Sequence, residues 1–438
     1  MGSDLPLKIL FIVPYVPTRI RTRPFHLIRA LASEGHRVTL ATLWSNRAEF
    51  AEARCLAEKL EGLVAEKIGL SRVIWNCIRA LPTSHPIQAD YSWSPKLARK
   101  IARIVEETPF DVVHVEHLRG VRYGLMLKET LARKGLKHPP VVWDSVDCIS
   151  TLFRQAAQES CSTRSRLTTK IELSRTEQFE GWLATRFSRV LVTSETDRSE
   201  LLKLAENWCR RHGIDPRPML AKRLAIVPNG VDLEYFSPNG DVREPSTLVI
   251  SGKMSYHANV TAVVRYVKDV MPKIWAALPE TRLWIVGKDP SREIQKLGIP
   301  WREDQPSSTP KNGNRESRVQ VTGTVDDIRP FLRRATLAVA PIRYGVGIQN
   351  KVLEGLACGT PVVATPQAVT ALQVRSGQEL MIAESQQELA DSVLSLLKNP
   401  QHCSRLGRSG RLFVEQQHAW SSIVKGLTEI YRDARCQP

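Results

Sequence analysis

The chain alternates between short apolar runs and longer stretches in which apolar residues recur every three or four positions. KILFIVPYV, near the amino terminus, is an apolar run of strand length, of the kind found in a parallel sheet covered on both faces. PFHLIRALASEGH follows, with Phe25, Leu27, Ile28 and Leu31 near helical spacing and Gly35 as a stop signal. HRVTLATLW predicts a second strand, LARKIARIVEE a helix ending near Pro109, and DVVHVEH and PPVVWDSVD two further strands. IELSRTEQFEGWLATRF predicts a long helix, and SRVLVTSE the strand after it. Strands separated by helices predict β-α-β units and a parallel sheet.

The pattern then restarts. LAIVPNGVDLEYFSP predicts a last strand and a turn, polar PNGDVREPS follows, and TLVISGKM opens a new strand series that continues through TRLWIVGKD, VQVTGTV, ATLAVAP and PVVAT. With 438 residues, the chain exceeds one ordinary core. The restart predicts an amino-terminal domain over 1–235, a carboxy-terminal domain over 236–417, and a final amphipathic helix, WSSIVKGLTEIYRDA, within 418–438. The polar, Pro-, Ser- and Asn-rich stretch 301–318 predicts a surface insertion. Ligands in doubly wound sheets bind beyond the carboxyl ends of the strands, so the loops after strands are where chemistry is expected.

Composition narrows the classes. With 42% apolar and 24% charged residues, both domains can bury normal cores. The net charge of +17 favours anionic partners, but no Lys/Arg block of nucleic-acid-arm length appears, so no nucleic acid is expected. The eight cysteines form no C-x-x-C pair, which argues against a zinc site or disulfide framework and suits a cytoplasmic location. The amino terminus lacks the basic region and cleavage site of a signal peptide, and no stretch is apolar enough to span a membrane. Membrane contact is therefore expected to be peripheral, on the inner face. Its candidates are Arg19, Arg21 and Arg23 against anionic lipid, and LSRVIWNCIRAL, with Ile74, Trp75 and Ile78 as apolar contacts.

The densest chemical signal is PIRYGVGIQNKVLEGLACGTPVVATPQAV, residues 341–369. A strand ends at Pro341, and a loop with Gly345 and Gly347 opens a helix near Ile348–Lys351. Glycines admit a ligand close to the backbone, and a helix start offers free N–H groups and partial positive charge. Lys351 in the first turn adds a full charge toward a diphosphate. Glu354 shares its helix face and would accept hydrogen bonds from ribose hydroxyls. Elsewhere, Asp144 and Asp147 lie just past a strand. They lack a third ligand at suitable spacing, so no metal is expected there, and acceptor binding or turn duties suit them better.

This segment resembles the donor-site signature of retaining glycosyltransferases with the GT-B fold, of the family 4 type. VPNGVDLEYFSP (227–238) resembles the same family's interdomain signature, and VLVTSETDRSELL and VTGTVDDIRPFLRRATLAVAP are also similar to it. GIQNKVLE resembles the subgroup associated with exopolysaccharide assembly. The resemblance runs from about residue 7 to 434. It implies an α/β fold of two Rossmann-like domains facing across a cleft, with the last helix returning to the first domain. It also implies metal-independent, cofactor-free transfer of a sugar from a nucleotide-sugar donor to a saccharide or lipid-linked acceptor, with retention of configuration. Polysaccharide or glycolipid assembly is the expected setting. The alternatives are a GT-B-like nucleotide-sugar epimerase and a non-catalytic basic binding protein.

By the resemblance, Lys253, after Gly252, meets the donor phosphates; a second basic residue usual about five positions later falls here on Ala258 or Asn259. Gly323, Thr324 and Val325 match the loop that cradles the nucleobase. The first of two family glutamates falls on Val346, so main-chain groups of Val346, Gly347 and Ile348 are expected to take over donor-sugar contacts. Glu116 and His117 both match a position near the reacting sugar, and spacing does not choose between them. Where many relatives have Gly-Gly after the first strand, this chain has arginines. Arg19 and Arg23, with Asp144, are therefore the acceptor-side candidates.

Overall fold

The computed structural model describes all residues except 1–4, 20, 160–162, 216–219, 301–317, 346 and 437–438. The polar stretch expected as an insertion lies almost wholly outside the described residues. The chain divides into two compact units, Met1–Pro228 with Trp420–Pro438, and Asn229–Ala419.

In the first unit, seven strands are spaced by helices: β1 (Lys8–Val13), β2 (Arg37–Trp44), β3 (Gly62–Lys67), β4 (Val112–Glu116), β5 (Val141–Val146), β6 (Arg189–Val192) and β7 (Leu224–Ile226). They pair in the order β3-β2-β1-β4-β5-β6-β7, all parallel. The apolar runs alternate between two buried faces. Leu10, Ile12, Val113 and Val115 join one core, and Ile9, Phe11, Val112 and Val142 the other. Both faces must be apolar because helices cover both. The helices Thr22–Ser33 and Trp420–Cys436 cover the second face through Leu27, Ile28, Leu31, Val424, Leu427 and Tyr431. The carboxy-terminal helix is bound by polar contacts as well: its Thr428 hydroxyl lies 3.1 Å from His36 Nε2.

The second unit repeats the architecture with β8 (Glu244–Ser251), β9 (Arg282–Val286), β10 (Ile299–Pro300), β11 (Val319–Gly323), β12 (Ala335–Ala340), β13 (Val362–Ala364) and β14 (Met381–Ile382). The order is β10-β11-β9-β8-β12-β13-β14, again parallel throughout. The segment that resembles the interdomain signature belongs to this unit from Asn229 onward, ahead of the 235/236 boundary expected from the restart of the strand pattern. Val231 N–H donates to the His418 carbonyl, and Arg411 donates to the carbonyls of Leu233 and Phe236. Main-chain groups, which the apolar pattern does not report, hold this segment in the second unit.

In each sheet the strand order reverses once, at β1/β4 and at β8/β12. Connections from neighbouring strands diverge there and leave a crevice at the carboxyl ends. Both groups of candidate residues occupy these points.

Candidate functional site

In the second unit, the loop after β8 carries Gly252 and exposed Lys253, and the loop after β12 runs from Pro341 to Gln349. Close approach of main chain sets the first loop. Gly287, after β9, has φ of +148°, and a Cβ there would fall 1.8 Å from the Gly252 carbonyl oxygen. Any side chain at 287 would push the β8 loop away. The second loop is tied to the first by His257, whose Nδ1 lies 2.6 Å from the Tyr344 hydroxyl with the rings stacked. Gly347 takes φ of +67° and turns the chain into the helix Asn350–Ala357.

Lys351 and Glu354 project from this helix. The Lys351 ammonium donates to Asn259 Oδ1 at 2.6 Å, and the Asn259 amide donates to the Lys253 carbonyl at 2.8 Å. Among the described residues, no carboxylate stands within salt-bridge distance of Lys351. Burial pushes its ammonium down to about 8, with Glu354 opposing. Burial also pushes the Glu354 carboxyl up to about 7, against the pull of Lys351. The arrangement is a helix start with a partly desolvated cation and a poised acceptor, suited to a diphosphate and an adjoining diol.

Gly323, with φ of +72°, ends β11, and its carbonyl accepts from Gly287 N–H. Thr324 is exposed, Val325 packs on the core and Ile348 is buried, so what these positions offer a ligand is mainly backbone. Asp327 Oδ1 accepts from Arg329 N–H at 2.9 Å and closes the turn before the helix Arg329–Arg334. Val346 lies outside the described residues.

In the first unit, the face of the sheet under the carboxy-terminal helix holds a buried polar network. Arg23, 4% exposed, donates through Nε to Asp144 Oδ2 at 2.9 Å and through Nη2 to Oδ1 at 3.1 Å. His114 Nε2 stands 3.5 Å from Glu116 Oε2 and 3.6 Å from Asp144 Oδ2, and its Nδ1 is 2.7 Å from the Tyr431 hydroxyl. Burial pushes the Glu116 carboxyl up to about 7, against Arg23 and a hydrogen bond from Tyr15, and pushes His114 down to about 4.

Two sequence readings are corrected by this geometry. Arg23 and Asp144, taken as acceptor contacts, spend their charges on each other in a two-point pair, and only Arg19 of the acceptor-side set is exposed. The third metal-type ligand found missing near Asp144 is present: His114, Glu116 and Asp144 bring ligand atoms within 4.8 Å of one another. Arg23 holds a full positive charge on the same carboxylate, which disfavours a divalent ion there. Sequence reasoning passed over His114. Its signal was legible, since residues two apart on a strand share a face.

His117 follows directly and takes φ of +61°, left-handed backbone that non-glycine residues seldom adopt. Its Nδ1 accepts from Arg119 N–H at 3.4 Å, so the ring proton sits on Nε2. Burial first, then Arg119, pushes His117 down to about 3. It is a neutral donor, and Glu116 behind it is tied into the network.

Residues 22–235 match the family described as Glycosyltransferase Family 4, and residues 245–399 the family described as Glycosyl transferases group 1. Alpha-maltose-1-phosphate synthase of Mycobacterium tuberculosis is 24% identical over 273 residues, 56% of this chain and 62% of that protein. Phosphatidyl-myo-inositol mannosyltransferase of Mycolicibacterium smegmatis is 21% identical over 348 residues, covering 77% and 75%. The chain thus spans less than two thirds of the length of the former. Among solved structures, Anabaena HepE in complex with UDP and glucose superposes with a TM-score of 0.64 at 14% identity, covering 98% of this chain and all of that one. Sucrose-phosphate synthase from Thermosynechococcus elongatus superposes at 0.60 with 16% identity, covering 98% of each. With two parallel Rossmann-like sheets and these matches across both units, the chain is a glycosyltransferase of the GT-B, family 4 and group 1 type.

Proposed function

We propose that the chain moves a sugar from a nucleoside diphosphate sugar, of the UDP-glucose kind, to a saccharide or lipid-linked acceptor in polysaccharide or glycolipid assembly. Transfer proceeds with retention and without a divalent ion. The observation that carries this is the pair Lys351 and Glu354 on one turn of the helix Asn350–Ala357, beside the Gly252–Lys253 loop. As the glycosidic bond breaks, negative charge grows on the departing diphosphate. Lys351, Lys253 and the helix N–H groups would meet it in fixed positions, which is how preorganised charge lowers a barrier. Glu354 would hold the ribose. Gly323, Thr324 and Val325 would cradle the base through their backbone, and Gly347 and Ile348 the sugar. In the first unit, His117 would offer its Nε2–H to a substrate hydroxyl, with Glu116 holding the strand end before it. The HepE structures with UDP and with UDP-glucose support the choice of donor. Retention and the exopolysaccharide setting rest on the resemblance of GIQNKVLE and its surroundings.

The test is transfer from UDP-glucose to membrane-lipid acceptors in EDTA, with product stereochemistry read by NMR. Acceptor-dependent, EDTA-resistant product of retained configuration is expected. A rearranged sugar formed without acceptor would identify an epimerase instead, and nucleic-acid binding without UDP-glucose binding a non-catalytic protein.

The acceptor is further proposed to be met at an anionic membrane on the cytoplasmic side. No helix among the described residues is long and apolar enough to cross a membrane. The helix Leu70–Ala80 instead exposes Ile74, Trp75 and Ile78 by 51%, 53% and 52%, with exposed Arg72 and Arg79 on the same helix. A core role for these apolar residues is ruled out by that exposure, and an apolar row flanked by cations suits a lipid surface. Arg23, buried, does not contribute. Flotation with anionic vesicles is expected and should be lost in W75E; equal flotation with neutral vesicles would remove the proposal.

A further inference from the structure

The donor-site resemblance leaves one cation unaccounted for. A basic residue expected about five positions beyond Lys253 is replaced by Ala258 and Asn259. Ala258 is buried and apolar, whereas Asn259, also buried, points its side chain into the site. Its Nδ2 donates to the Lys253 carbonyl and its Oδ1 accepts from the Lys351 ammonium. A Cβ built on Gly252 would lie 3.1 Å from Asn259 Nδ2 and 3.5 Å from Lys351 Nζ. Three groups from one loop and two helices therefore converge at Gly252: a glycine that leaves room, an amide that orients, and an ammonium that reaches across.

We propose that Asn259 is a positioning residue for Lys351: the second phosphate cation reaches this site from the helix Asn350–Ala357, and Asn259 holds it over Gly252. The proposal rests on the donor-site reading above. An amide suits the task better than a charged partner. Asp at 259 would cancel the cation, and Lys there beside Lys351 would place two ammonium groups together. Asn fixes the ammonium through one lone pair and leaves its charge for the ligand. The downward push of burial on Lys351 is the sign expected of a cation awaiting an anion.

The experiment is calorimetric titration of the full chain with UDP-glucose, with melting curves as folding controls. K351A should lose at least about tenfold in affinity, as expected for a charge-assisted contact. N259A should lose about three- to tenfold with Lys351 still present. N259D, nearly the same size and shape, should bind more weakly than N259A, because its carboxylate neutralises the cation it holds. The relocation variant N259K/K351A should bind better than K351A, since the amine returns from the other side of the same space. A merely structural asparagine predicts N259D at or above N259A and no rescue by relocation, and either result overturns the proposal. If K351A and N259A both bind UDP-glucose normally, the donor site itself has been misplaced. If only K351A is impaired, the site stands and the role of Asn259 falls. N259D serves as the deciding variant if the relocation variant fails to fold.

Discussion

Two charge clusters occupy matching places in the two units, near the carboxyl ends of the strands where each sheet reverses, one buried and one partly buried, and they are balanced in opposite ways. In the first unit, Arg23 lies on Asp144 with two hydrogen bonds, and His114, Glu116 and Tyr431 close the network around them. Positive and negative charge meet inside the protein. In the second unit, Lys351 is also desolvated, but its hydrogen-bond partner is the neutral amide of Asn259. Its charge is left for something else. A buried cation beside a carboxylate is structure first, whereas a partly buried cation held by an amide at a helix start suits an anion. That difference separates the two clusters more clearly than residue type, since Arg and Lys would be scored alike in a sequence.

The comparison breaks most visibly at Arg23. Removing one member of a buried ion pair strands the other and typically costs about 3–5 kcal/mol. R23M should show that loss in urea unfolding, and R23M/D144N, which removes both charges, should recover much of it. A stable R23M would mean that the pair is not the structural element described here.

At Lys351 the outcome should invert. K351A removes a desolvated cation with no carboxylate to strand, so stability should stay within about 0.5 kcal/mol. Turnover should fall about a hundredfold or more, as when one preorganised donor to developing charge is deleted. Loss of turnover should exceed loss of donor affinity, because the leaving group gains charge in the transition state. Normal turnover in folded K351A would place the diphosphate elsewhere.

Glu354 sharpens the picture at smaller magnitude. E354Q keeps the shape and loses the charged acceptor, so donor affinity should fall roughly tenfold, at the low end for hydrogen bonds to charged groups. Titration with UDP-glucose would read this directly.

The finest test is pH. In the proposed donor site Glu354 would accept from ribose when ionised, and burial pushes its carboxyl up to about 7, so donor affinity should rise as pH passes upward through that value. Lys351 would attract the donor phosphate when protonated, and burial pushes it down to about 8, so affinity should fall as pH rises further. A bell with its maximum between these two values is expected, and E354Q should lack the acid arm. A flat profile would show that neither group meets the donor.

Much of the second unit's site was legible because its residues are close in sequence. Gly347, Lys351 and Glu354 fall within one loop and one helical turn, where spacing translates directly into direction. Asn259 escaped because its meaning depends on Lys351, 92 positions away. The first unit behaved differently. Arg23 and Asp144 are 121 positions apart, and each, read locally, looked like an acceptor contact. Tyr431 meets His114 across 317 positions, and no local pattern in the final helix announces a polar partner under it.

The sequence by itself determined the alternation of strand and helix, the two parallel sheets, and the glycine-to-helix turn with its lysine and glutamate. These follow from periodicity and steric freedom, which act over a few residues. Only the tertiary structure decided which charges cancel. Arg23 was spent on Asp144 and Lys351 was left to an amide because burial removes water as the competing partner. Once water is gone, the groups that happen to share a cavity determine what each charge can do.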